Sequence, residues 1–114
     1  MEDRKEILRN YNYDCFYFLG IANSALQEIP GDDVLQDLSK KVGNCAIHLG
    51  VELGLDMATI EETLFKYPKN MFQQTFDVMK KWKISGEVKT IRMLMKAFKS
   101  ADGRGIKFLR EKYR

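Results

Sequence analysis

The sequence predicts an all-α fold, a bundle of short helices, and three observations carry that prediction. Apolar residues recur at spacings of three and four along most of the 114 residues, the signature of one-sided helices. The only prolines, Pro30 and Pro68, leave long tracts that a helix can occupy without interruption. Between the apolar stripes stand Gly, Asp, Asn and Thr, the residues that end and restart helices. No strand-like alternation, internal repeat or low-complexity tract appears.

From Ile7 to Ile29 the stripe runs through Leu8, Tyr11, Cys15, Phe18, Ala22, Ala25 and Ile29, broadened by Phe16, Leu19 and Leu26. It predicts an amphipathic helix in which Gly20 is a mild flaw. Such a helix either adds a packing layer to the bundle or binds a partner and folds back when unoccupied. Pro30-Gly31-Asp32-Asp33 breaks the pattern, and Asp32 or Asp33 is placed to accept hydrogen bonds from the first free amides of a second helix. That helix should reach about Val42, with Val34, Leu35, Leu38 and Val42 inward. Gly43 ends it. Asn44 is expected to cap the next helix, with Ala46, Ile47, Leu49, Val51 and Leu53 as its apolar side and Gly54 closing it in a left-handed conformation.

Asp56 is the expected N-cap of a short helix with Ile60, Leu64 and Phe65 inward and Glu61 and Glu62 outward. Pro68 stops it at Tyr67. Asn70, with Gln73 three residues on, resembles a capping box, and Met71, Phe72, Thr75, Phe76, Met79 and Trp82 trace the inner face of a longer helix. Lys80, Lys81 and Lys83 lie where cations favourably meet the end of a helix dipole. Ser85-Gly86 turns the chain, and Thr90 caps a helix with Ile91, Leu94, Met95 and Phe98 inward and Lys89, Arg92, Lys96 and Lys99 facing solvent or a partner. Asp102 begins the last helix weakly, because Gly103 and Gly105 both cost backbone entropy. Ile106, Leu109 and Tyr113 give that helix one apolar side.

Composition narrows the function. A chain of this length can bury a core without disulfides or metals, and 45% hydrophobic residues is ordinary for a globular domain. No run approaches the ~20 apolar residues of a membrane span. The start, MEDRKE, is charged and FYFLGIA lies too far in for a secretory signal, so a cytoplasmic protein is expected. Cys15 and Cys45 lack CxxC spacing and fall on apolar stripes, as reduced, buried cysteines do. With His48 the only histidine, a metal site would need Cys45 and carboxylates at awkward spacing, and neither metal nor cofactor is expected. His48 has no evident nucleophile partner, which argues against an enzyme and a small-molecule substrate.

The net charge of +3 conceals a dipole along the sequence. Three basic face five acidic residues through Ile29, two face seven from Pro30 to Glu62, and fourteen face four from Thr63 onward. An acidic set, Asp32, Asp33, Asp37, Glu52, Asp56, Glu61 and Glu62, falls on the early bundle helices. A basic set, Lys80, Lys81, Lys83, Lys89, Arg92, Lys96, Lys99 and Arg104, falls on the later ones. Two surfaces of opposite sign on one molecule permit head-to-tail contacts that need not close. Each such charge alone is also what a solvated helix face carries. An alternative class is a basic helical nucleic-acid-binding domain contacting phosphates through Lys80, Lys81, Lys83, Arg92, Lys96 and Lys99. Against it, arginine is scarce in that patch and the aromatic residues lie on inward stripes.

In order and spacing, LGVELGL at 49–55, TIEE at 59–62, YPKN at 67–70, Trp82 and the TIRMLMKAF run resemble a death domain of the adaptor type. The resemblance covers residues 32–114 and implies a six-helix antiparallel death-fold bundle, with residues 1–29 as an added N-terminal amphipathic helix. Where family members often carry a tryptophan this chain has Ala46, and the N-terminal helix is expected to refill that space. The resemblance implies homotypic binding to other death domains in apoptotic or innate-immune signalling, with no catalysis. By resemblance, Lys80, Lys81, Lys83 and Glu87 would meet a partner near Lys99, Asp102 and Arg104, and Glu61, Glu62 and Lys66 would meet loops such as Gly43-Asn44 and Pro68-Lys69. A third pairing would set Asp37, Lys40, Lys41 and Asp77 against His48 and Glu52.

Overall fold

The structure, a computed structural model, describes residues 21–114. Most of the helix expected over 7–29 therefore lies outside the described residues, Cys15 included. The secondary structure of the described residues is entirely helical: α1 (Asn23–Leu26), α2 (Asp32–Lys41), α3 (Ala46–Glu52), α4 (Met57–Lys66), α5 (Met71–Lys83), α6 (Ile91–Ala101) and α7 (Gly103–Tyr113). The all-α class expected from the stripe spacing is what the described residues adopt.

The helices wrap one core. α2 packs on α5 and α7, α3 on α5 and α6, α4 on α3 and α5, and α6 on α7. Leu35, Leu38, Leu49, Val78, Met79, Trp82, Ile91, Leu94, Met95, Phe98 and Leu109 fill the centre, each essentially hidden from water. Burying side chains of this size contributes roughly 1.5–3 kcal/mol apiece against full exposure, which is why the stripes dictate the packing. The first described residues join the same core. Ile21 and Leu26 are buried, α1 lies on α6, and the Glu28 carbonyl accepts the Ile91 amide at 2.9 Å.

The caps that the sequence marked are largely in use. Asp56 accepts the Thr59 amide at 2.8 Å, Asn70 accepts that of Gln73 at 3.1 Å and Thr90 accepts that of Met93 at 3.4 Å. Gly54 has φ +85°, and the Leu55 amide reaches back to the Gly50 carbonyl while the Gly54 amide reaches Val51. This is the Schellman closure, which needs a residue tolerant of the left-handed region. Two expected caps are absent. α2 starts after Gly31 and α3 after Cys45, neither with a side-chain cap, so Asp32 and Asp33 sit inside the first turn, where the helix dipole favours them.

The expected inner faces need four corrections. Phe65 is 90% exposed, and α4 turns Ile60 and Thr63 inward instead. At about 100° per residue Phe65 lies ~140° round from Ile60, off any face that Ile60 anchors. By the same geometry Ile47 and Val51 stand about half exposed, while Ala46, Leu49 and Gly50 face the core. On α5 Met71 is exposed and Val78 takes the buried position. At the N-terminal end of the described residues Ala22 is extended and exposed, the helical residues are Asn23–Leu26, and Ile29 is exposed. The stripe over 21–29 is thus a single helical turn followed by a buried Pro30.

Candidate protein-interaction surface

The side chains expected to form the two charged faces can now be placed. α4 holds Glu61 and Glu62 on its exposed side, with Phe65 one turn further on. α2 exposes Asp32, Asp33 and Asp37; α3 exposes Glu52, 3.5 Å from His48 Nε2. Asp56 is spent on capping, and the Thr59 hydroxyl and amide hold its carboxyl below the usual carboxylate range.

The basic set divides into paired and outward-facing members. Lys81 is drawn inward: its ammonium donates to the Thr63 hydroxyl at 2.8 Å and lies 3.3 Å from both Asp77 and Glu62. Thr63 in turn donates to Asp77 at 2.6 Å, which satisfies a hydroxyl that is otherwise fully buried. Lys83 reaches across to Asp32 at 3.1 Å. Two bridges thus join the acidic set to the basic set within one molecule, and the two sets meet along α5 rather than standing wholly apart. Lys80 lies 5.1 Å from the Phe76 ring centroid. Arg92 donates to Asn23 at 3.3 Å, Lys89 is half-buried, and Lys96 and Lys99 are exposed on the outer side of α6.

Arg104 turns back on Asp102, donating to it from Nε at 3.0 Å and Nη2 at 2.8 Å. Asp102 also accepts the amides of Arg104 and Gly43, each at 3.0 Å. This nest of donors, the guanidinium first, holds its carboxyl down to about 2. Close by, Lys41, Arg104, Lys107, Phe108 and Glu111 line a cleft of about 230 Å³ between the end of α2 and α7. Sequence spacing did not single out this cleft, because its residues come from helices some sixty positions apart. The roles of Asp77 and Thr63 were missed too; a threonine at a core-facing position with a lysine and carboxylates nearby was the available signal.

Burial, with the Asp102 carboxylate adding to it, pushes the Cys45 thiol up to about 11. It is therefore a neutral thiol near pH 7, a weak nucleophile and a poor metal ligand. Among the described residues no cluster of three or more His, Cys, Asp or Glu could hold a metal ion, and no helix is long and apolar enough to cross a membrane. No known protein family, curated protein or solved structure matches this chain.

Proposed function

We propose that the chain is a death domain, with α2–α7 as its six helices and residues 1–29 as an extension. It assembles signalling complexes of apoptosis or innate immunity in the cytoplasm, by binding other death domains or further copies of itself. The observation that supports this reading best is the distribution of charges left without an ion-pair partner among the described residues. Asp33, Asp37 and Glu61 lie on α2 and α4, and Lys89 and Lys96 lie on or just before α6. Acids on α2 and α4, with Lys40, Lys41 and Lys66 at the C-terminal ends of the same helices, and lysines at α6 put both signs on separate parts of the surface, an arrangement that lets one face of a molecule meet another face of the next. The fields steer encounter and select the partner more than they raise affinity. The protein works by binding, without catalysis: the Cys45 thiol is protonated and His48 stands at the surface beside Glu52.

The test is light scattering coupled to size-exclusion chromatography over a range of protein concentration, at low and moderate salt. Growth beyond a dimer that shrinks with salt, and that Glu61→Lys/Glu62→Lys abolishes without altering the helical circular dichroism, is the expected result. Salt-insensitive behaviour that the double reversal leaves unchanged removes the charged faces from the mechanism.

A further inference from the structure

We propose that the exposed ring of Phe65 in one copy seats in the Lys41–Lys107 cleft of a second copy, so that copies join head to tail. This rests on the reading of the chain as a self-assembling module and names one contact of that assembly. Phe65 is the most exposed large apolar side chain of the described residues, at 90%. An aromatic ring left in water on a rigid helix is the type of group that anchors interfaces when a pocket receives it. Glu61 and Glu62 stand four and three residues before it, on the same exposed side of α4, so the knob is an aromatic ring with an acidic shoulder.

The cleft has the complementary chemistry. Its volume of about 230 Å³ is no smaller than the ~150 Å³ of an engineered cavity that takes up benzene, so its size does not bar a phenyl ring. Phe108 supplies an aromatic wall and is itself half-buried. The Arg104 guanidinium is occupied by Asp102, so of the cations lining the cleft Lys41 and Lys107 have no ion-pair partner among the described residues. Two ammonium groups can meet the Glu61 carboxylate, and also Glu62, which stays 76% exposed beside Lys81, and can lie over the face of the incoming ring. Glu111, the one acid in the lining, sits a turn beyond Lys107 and limits the cleft to a modest positive balance.

Knob and cleft belong to different helix pairs. α4 packs on α3 and α5, whereas the cleft lies between α2 and α7. The contact is therefore heterologous, each copy offering one knob and one cleft, and it propagates until a ring closes or a filament forms.

The experiment uses the full chain in sedimentation velocity and light scattering, with three samples: wild type, a knob variant Phe65→Ser and a cleft variant Lys41→Glu/Lys107→Glu. All substituted positions are exposed, and circular dichroism checks that each variant remains folded. Wild type is expected to form oligomers, and each variant alone to lose at least tenfold in apparent association constant. Mixed in equal amounts, the two variants should form a dimer and nothing larger, because only one intact knob and one intact cleft remain to meet. If Phe65→Ser assembles like wild type, or if the mixture does not dimerise, this contact is wrong while the broader assembly reading survives on the wild-type growth. If wild type stays monomeric at every concentration, the contact between copies is overturned, and capture of a separate death-domain protein by wild type then decides the broader reading by itself.

Discussion

Asp102 accepts the backbone amide of Gly43 at 3.0 Å across 59 positions of sequence. The same carboxylate caps α7 through the Arg104 amide and holds the Arg104 guanidinium. One side chain thus fastens the turn between α2 and α3 to the start of the last helix, and its charge is what makes the fastening strong. The folded carboxyl is held near 2, below its ordinary 3.8, so its stabilisation is present above about pH 4 and is lost as the pH falls toward 2. Asp102→Asn should cost about 1–2 kcal/mol at neutral pH. In urea titrations repeated from pH 5 to pH 2 the variant should lose less stability than wild type. Parallel acid profiles for the two would show that the carboxylate carries no such linkage.

Gly105 and Gly103 look alike in the sequence and differ in what surrounds them. A Cβ on Gly105 would run into the Phe98 ring, whereas one on Gly103 meets nothing within 4 Å. Gly105 is what allows α7 to lie close on α6 at Phe98. Gly105→Ala should therefore destabilise by about 1–3 kcal/mol as an overpacked core does. Gly103→Ala should leave stability unchanged or raise it by up to ~1 kcal/mol through helix propensity. Thermal unfolding of the pair of variants checks the sign of each, and a stabilising Gly105→Ala would mean that α7 can move away from Phe98 freely.

These two glycines illustrate what the sequence could and could not reveal. In the sequence both are entropic flaws of a weak last helix, because a close approach between α6 and α7 leaves no mark in local spacing. Caps that act within three residues were legible: Asp56, Asn70 and Thr90 bind the amides their positions suggested. Stripes were legible where one strict face sufficed, as with Ile91, Leu94, Met95 and Phe98. They misled where hydrophobicity was allowed to widen the face, as with Phe65 and Val51. Strict 100° phasing would have set both outside. Residue identity marks the charges of the two sets but not their pairing, since Lys83 meets Asp32 only after the bundle has brought α5 beside α2.

Cys45 offers a chemical probe of that bundle. With its thiol pushed up to about 11 and its side chain buried, very little thiolate is present at pH 8. In a Cys15→Ser background, iodoacetamide should alkylate the native protein far more slowly than the protein in urea. Because the folded value is raised, stability should hold up to about pH 9 and fall as the pH climbs through 11. Native alkylation as fast as that of the unfolded chain would place Cys45 outside the core.

Lys81 is held by the molecule's own side chains, whereas Lys96 is exposed. Lys81 was expected on the basic face, yet its ammonium is engaged by Thr63, Asp77 and Glu62, and its side chain is only 23% exposed. Asp77 and the buried Thr63 hydroxyl depend on that ammonium to balance a carboxylate that is itself only 19% exposed. Removing one partner of a part-buried network leaves the others unpaired, which costs more than the net worth of the contact. Lys81→Ala should thus lower stability by about 1–3 kcal/mol, whereas Lys96→Ala, on the exposed side of α6, should change it by less than about 0.5 kcal/mol. Lys81→Ala combined with Asp77→Ala should then cost less than the sum of the two single changes, because the double variant leaves no carboxylate stranded. Additive costs would mean that the two side chains contribute independently and that Lys81 is as available to a partner as Lys96.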